Sequence, residues 1–227
     1  MSGILYIIPT PIGNLEDVTL RSLRILKECD LIACEDTRRS LKLLSHFGIS
    51  TRLFSLHSYN EHHKVDYIID KLSKGNNIAF IVDAGMPGVL DPGYILINRL
   101  IKTDMKFEVL PGATAVITAL VASGFPTNNF IFCGFMKKQH NKIKKTLFNF
   151  SKLNKTIIFF ESPYRLIKTI EICLEVFGGK SKICLAREMT KKFEEFIRGS
   201  ISEILEIIRN KELFGEFVVL IYPKQNE

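Results

Sequence analysis

No run of apolar residues in this chain approaches the roughly 18 needed to cross a bilayer, and no basic-then-apolar leader opens it. A membrane or secreted protein is therefore not expected; a cytoplasmic one is. Cysteine is scarce: Cys29, Cys34, Cys133, Cys173 and Cys184 form an odd, scattered set without a Cys-x-x-Cys pair. Neither a disulfide framework nor a zinc site fits that pattern, and the five read as reduced core thiols. Also missing are the Gly-x-Gly-x-x-Gly dinucleotide fingerprint, a Walker A lysine and the Gly-x-Ser-x-Gly nucleophile elbow. Those absences point to a site that binds and orients rather than one that forms a covalent intermediate. His57, His62 and His63 stand near Glu61, but their spacing matches no common ligand set, and no metal is expected.

What is present describes an ordered protein. Of 227 residues, 46% are hydrophobic and 24% charged, enough to bury one large core or two small ones. The net charge of +7 suggests a polyanionic partner, nucleic acid first. The densest positive stretch holds Lys137, Lys138, Lys142, Lys144 and Lys145. It reads either as a solvated helix face or as the place where phosphates land.

Short apolar runs alternate with helical stretches, which is an α/β pattern. Strands are predicted at Leu5–Ile8, Leu31–Cys34, Arg52–Leu56, Ile78–Val82 and Phe107–Leu110. Helices are predicted over Thr19–Lys27, Leu41–Phe47 and Ala113–Ser123. Gly124-Phe125-Pro126-Thr127 interrupts the series, and a second one begins with Phe130–Cys133 and runs through Thr156–Phe160, Lys182–Ala186, Phe193–Arg198 and Glu216–Tyr222. This places a boundary near residues 112–126, giving domains 1–115 and 116–227 with a ligand expected in the cleft between them.

The segment Asp83-Ala84-Gly85-Met86-Pro87-Gly88-Val89-Leu90-Asp91-Pro92-Gly93 directly succeeds a predicted buried strand. Its glycines admit positive φ and close approach of a ligand, its prolines stiffen the loop, and Asp83 can accept from a ligand amine or hydroxyl. Ligands of open α/β sheets bind at that strand edge. Pro9-Thr10-Pro11-Ile12-Gly13-Asn14 ends the first strand, with Asn14 or Asp17 able to cap the next helix. Glu35-Asp36-Thr37-Arg38 ends the second; Asp36 or Thr37 suits an N-cap, and Arg38 suits a phosphate or carboxylate. Pro111-Gly112-Ala113-Thr114-Ala115 opens a helix whose free N–H groups can meet a ligand, and Glu161-Ser162-Pro163-Tyr164-Arg165 repeats the strand-end design in the second half.

Taken in order, the first-strand, Glu-Asp-Thr-Arg, glycine-loop and Glu161-Ser162-Pro163 motifs, together with Ala186-Arg187-Glu188, resemble the 2′-O-ribose methylases of small-subunit ribosomal RNA. That family lies within the tetrapyrrole methylase superfamily, and the likeness spans about residues 4 to 222. It implies two α/β domains unrelated to the Rossmann methyltransferases, S-adenosylmethionine as cofactor in the cleft between them, and a homodimer. It also implies that the partner is 16S rRNA or the small ribosomal subunit, methylated on a decoding-centre cytidine. Cofactor contacts carry over to Pro11, Asp83, Gly85, Met86, Thr114 and Ala115, and on the second-domain side to Phe135, Ala186 and Phe217. Asp36 and Glu161 are the candidate proton acceptors, with Arg38 and Arg165 positioning phosphates. The chain departs from the family at Val82, where serine is common, at Met86, where threonine is, and at Tyr164, where histidine is. Other readings are methylation of a tetrapyrrole or another small substrate, and a non-catalytic RNA-binding assembly factor.

Overall fold

Five short apolar runs build the first sheet of the computed structural model, which describes residues 2–223. They are β1 (Leu5–Ile7), β2 (Leu31–Cys34), β3 (Leu53–Ser55), β4 (Ile78–Ile81) and β5 (Phe107–Val109), all parallel in the order β3-β2-β4-β1-β5. Each ends one residue short of, or level with, the apolar run that predicts it. Alternation explains why the central strand carries no polar residue. Ile78 and Phe80 pack on one face of the sheet with Val65, Ile68, Leu72, Leu96 and Leu100. Ala79 and Ile81 pack on the other with Ile25, Leu26 and Leu44. A parallel strand covered on both faces must be apolar throughout.

The helices supplying those covers are α1 (Leu20–Glu28), α2 (Thr37–His46), α3 (Glu61–Ser73) and α4 (Tyr94–Lys102). Thr19 caps α1 by accepting from the Ser22 N–H at 3.0 Å. Asn14 instead caps a preceding 3-10 turn, Leu15–Asp17, through the Glu16 N–H, so the predicted capping role of Asn14 falls one turn early and Asp17 has none at α1.

The chain divides into two compact units between Thr114 and Ala115. In the second, α5 (Ala115–Ser123) packs on the last three strands of the sheet. The sheet order is β6-β7-β10-β8-β9, formed by β6 (Phe130–Phe135), β7 (Thr156–Glu161), β8 (Lys182–Arg187), β9 (Glu195–Ser200) and β10 (Phe217–Tyr222). Only β6 and β7 pair in parallel. The remaining helices are α6 (His140–Ser151), α7 (Pro163–Phe177) and α8 (Ile201–Arg209). They bury Ile143, Leu147, Leu166, Ile170 and Ile204 with Ile157, Phe159 and Val219 of the sheet. α8 opens with a complete capping box between Ser200 and Glu203.

All five cysteines are free thiols, four of them buried. Burial pushes Cys29, Cys133 and Cys184 up to about 11, which keeps them protonated and inert. No described helix is long and apolar enough to cross a membrane.

Candidate cofactor site

In the first unit the carboxyl ends of β1, β2, β4 and β5 carry the four loops singled out in the sequence. The loop after β1 and the glycine loop after β4 are zipped together. Thr10 and Gly85 exchange both backbone hydrogen bonds, each at 3.0 Å, and the Thr10 hydroxyl donates to the Val82 carbonyl at 2.9 Å. Val82 itself lies in the core. The loop after β5 closes on the same point. Gly112 runs so close to Pro9 that a Cβ there would sit 2.5 Å from the proline ring.

The glycine loop turns on positive φ at Gly85, Gly88 and Gly93 (+82°, +82° and +132°) and at Leu90 (+71°). Gly93 is doubly constrained, since a Cβ would also stand 2.9 Å from the Phe80 ring. What holds the loop was not legible in the sequence. Glu61, at the start of α3 and 5% exposed, accepts from the N–H groups of Gly93, Ile95 and Leu96 at 3.0–3.1 Å. It thereby caps α4 from a distance, because Gly93 has no side chain to do so. Its carboxylate is spent there, and no group of three metal-ligating side chains occurs among the described residues. The separation of 32 residues between Glu61 and Gly93 leaves no local pattern to detect.

Carboxylates gather at this edge. Asp83 accepts from the Asp36 N–H at 3.3 Å and pairs with Arg39 at 3.1 Å, while Glu35 receives the Asp83 N–H at 3.5 Å. Burial raises the Glu35 pKa. Burial, reinforced by the charges of Glu35 and Asp83, pushes Asp91 up to about 6. Asp36 is the N-cap of α2, accepting from the Arg38 N–H at 2.8 Å. The Arg38 guanidinium folds back onto it at 2.9 Å, which lowers Asp36 to about 2. The guanidinium expected to meet a ligand is thus paired within its own turn. It is Arg39, unremarked in the sequence, that reaches the glycine-loop aspartate.

Pro11 and Gly85 are buried in this junction and Met86 is half-buried, its carbonyl accepting from the Val89 N–H at 3.3 Å. Thr114 and Ala115 stand at the entry to α5.

In the second unit, Phe135 is exposed and meets Phe160 edge-on, with centroids 5.4 Å apart. Phe160 and Ala186 both pair with Val218, so they share one sheet face. Phe217 does not: its side chain points to the opposite face and is 2% exposed within the core. Glu161 is also enclosed, accepting from Thr169 at 2.7 Å and from the Ser162 N–H at 2.9 Å beside Arg165 at 3.3 Å. Arg165 in turn donates to the carbonyls of Met136 and Lys137. Tyr164 is fully outward on the first turn of α7.

Residues 4–205 match the family model of the Tetrapyrrole (Corrin/Porphyrin) Methylases. The chain belongs to the tetrapyrrole methylase family. Among curated relatives, it is 44% identical over 96% of its length to ribosomal RNA small subunit methyltransferase I of Halalkalibacterium halodurans, covering 75% of that protein. The protein of the same name from Bacillus subtilis is 43% identical over 99% of the chain, which covers 77% of it. The fold of this methylase is shared with the methyltransferase CobJ (TM-score 0.72, 19% identity, 100% of this chain and 96% of that one). It is also shared with diphthine synthase (TM-score 0.74, 12% identity, 96% and 90%).

This methylase is accordingly an S-adenosylmethionine-dependent methyltransferase. The residues present suit that donor. A buried glycine at positive φ, pinned to Thr10 and bare of side chain, lets a ligand lie against backbone. Carboxylates at the same edge complement a sulfonium and an ammonium group.

Proposed function

We propose that this methylase transfers a methyl group to the ribose 2′-oxygen of a decoding-centre cytidine in 16S rRNA, acting in the cytoplasm as a homodimer. The observation that carries the reading is the 43–44% identity, over almost the whole chain, to proteins named ribosomal RNA small subunit methyltransferase I. The family description supports a tetrapyrrole acceptor as the second reading. The CobJ likeness, at 19% identity, speaks for the fold alone.

S-adenosylmethionine supplies a methyl group already activated on sulfur, so the protein's own task is alignment and the removal of one proton. Pro11, Asp83, Gly85, Met86, Thr114 and Ala115 would hold the donor, with the exposed Phe135 ring contributing its side chain; Ala186 and Phe217 are 1% and 2% exposed within their sheet. The Thr10–Gly85 bridge and the Glu61 cap keep the glycine loop from relaxing, so its geometry is set before the donor arrives. Of the two candidate proton acceptors, both have their oxygens occupied, Asp36 by Arg38 and Glu161 by Thr169 and the Ser162 N–H, but Asp36 is the less buried. We therefore place the acceptor role on Asp36 and give Glu161 the task of orienting Arg165.

The lysines of the basic stretch are exposed on and before α6. Lys144 pairs with Glu175 at 2.7 Å, whereas Lys137, Lys138, Lys142 and Lys145 pair with no carboxylate among the described residues. Those four are the phosphate contacts of this reading, backed by Arg165; Arg38 joins them only by releasing Asp36. The test is methyl transfer from radiolabelled S-adenosylmethionine to small subunits from a strain lacking the enzyme, run beside a tetrapyrrole acceptor. Label on the subunit RNA alone supports the reading, and label on the tetrapyrrole alone overturns it.

A further inference from the structure

Beyond the ends of β8 and β10, a cationic side chain is buried beneath two exposed aromatic rings. Arg187 is 5% exposed. Its Nε donates to the Phe214 carbonyl at 2.9 Å and its Nη1 to Glu195 at 3.2 Å. Nη2 has no hydrogen-bond partner among the described residues. The guanidinium lies on the Phe214 ring, its carbon 3.6 Å from the centroid. Phe214 meets Phe193 edge to face at 6.0 Å, and the two rings are 45% and 56% exposed. The Lys192 ammonium stands 5.6 Å from the Phe193 centroid.

Three of the surrounding acids are already matched by cations, and Glu194 and Glu212 are not among the described residues. Glu188 and Glu216 pair with Lys191, Glu195 pairs with Lys211 as well as Arg187, and Glu194 accepts from the Thr190 N–H. Lys192 has no such partner among the described residues, and its ammonium stands unpaired beside the Phe193 ring. The loop is held in shape by this network and by positive φ at Glu188 and Thr190 (+47° and +63°), a conformation costly for residues with a side chain. A core does not need two rings facing water on a braced loop. A flat π surface backed by a guanidinium and flanked by an ammonium is the chemistry that single-stranded nucleic acid recognises.

We propose that Phe193 and Phe214 form a stacking platform for an unpaired nucleobase of the RNA substrate. The proposal rests on the rRNA methylation reading and adds to it where a base, as opposed to a phosphate, is held. An unpaired base is the occupant because duplex RNA hides its π faces, and because the patch offers one cation rather than the row a backbone requires.

The chain contains no tryptophan, so Phe193→Trp creates a single indole fluorophore at the platform while keeping an aromatic ring there. Titration with a single-stranded mixed-sequence oligoribonucleotide is expected to quench it, and the same sequence as a duplex is not. Phe193→Ala with Phe214→Ala is expected to raise the KM for small subunits about 5- to 100-fold, the range for losing one stacked base. Calorimetric affinity for S-adenosylmethionine should be unchanged. Absence of quenching by the single strand, or equal quenching by the duplex, overturns the platform. A change of oligomeric state in the double alanine variant also overturns it, by assigning the face to a contact between copies. If the wild-type protein methylates no subunit yet Phe193→Trp is still quenched by single strands, the platform stands and the rRNA methylation reading is what fails.

Discussion

Asp91 sits half-buried in the glycine loop with Glu35 and Asp83 nearby, and its pKa of about 6 lies above the 3.8 of a free aspartate. A raised carboxylate pKa means that the folded state binds the proton more tightly than the unfolded chain does. Folding is therefore penalised as pH climbs from about 4 to 6, and the penalty persists at neutrality. Asp91→Asn is expected to stabilise the protein at pH 7 by about 1 kcal/mol after allowance for solvent screening. The gain should appear as roughly 2–4 °C in Tm and disappear at pH 4, which thermal melts at the two pH values check. Asp36 is separable in a different way. Asparagine can still accept from the Arg38 N–H as a helix cap, so Asp36→Asn should leave the fold intact while removing the proton acceptor. A fall in single-turnover rate of about 100-fold at unchanged S-adenosylmethionine affinity is expected; full turnover would take Asp36 out of the chemistry.

At the scale of elements, the glycine loop owes its shape to α3 as much as to its own glycines. Glu61→Ala strands three backbone N–H groups at the start of α4 and should cost about 2–3 kcal/mol. Glu61→Gln keeps an acceptor oxygen and should recover part of that, as chemical denaturation would show. On α6, Lys142→Ala with Lys145→Ala should weaken rRNA binding and flatten its log-log salt dependence by about 1–2, since each lost phosphate contact removes roughly 0.7–0.9. Lys144→Ala should do less, because its charge is already committed to Glu175. The central strands β4, β7 and β10 were legible because both their faces are covered and their apolar runs are nearly unbroken, whereas the polar edge strand β9 lies two residues beyond its predicted Phe193–Arg198. The start of α2 was legible only through its cap: Thr37-Arg38-Arg39 carries no apolar period, and the N-cap read at Asp36 is where the helix begins. The role of Glu61 is invisible, since its partners are set by tertiary structure.

For the whole molecule, two α/β units with separate cores account for a chain whose two halves read as two series of strands. The loops named from the sequence do meet at one sheet edge in the first unit, because parallel strands deliver all their carboxyl ends to the same side. The side chains there were harder to foresee. Arg38 and Arg39 are adjacent, and only helix geometry decides that one folds onto Asp36 and the other onto Asp83. Phe217 was expected beside Ala186, but neighbouring strand pairs place their side chains on alternate faces and send it into the core. The central claim concerns one oxygen atom on RNA, and a 2′-O-methyl group protects the adjoining phosphodiester from alkali. The most direct measurement is therefore alkaline hydrolysis of 16S rRNA labelled by this protein from S-adenosylmethionine. Label confined to one alkali-stable dinucleotide with cytidine on its 5′ side is the expected result, and label released in mononucleotides would contradict it.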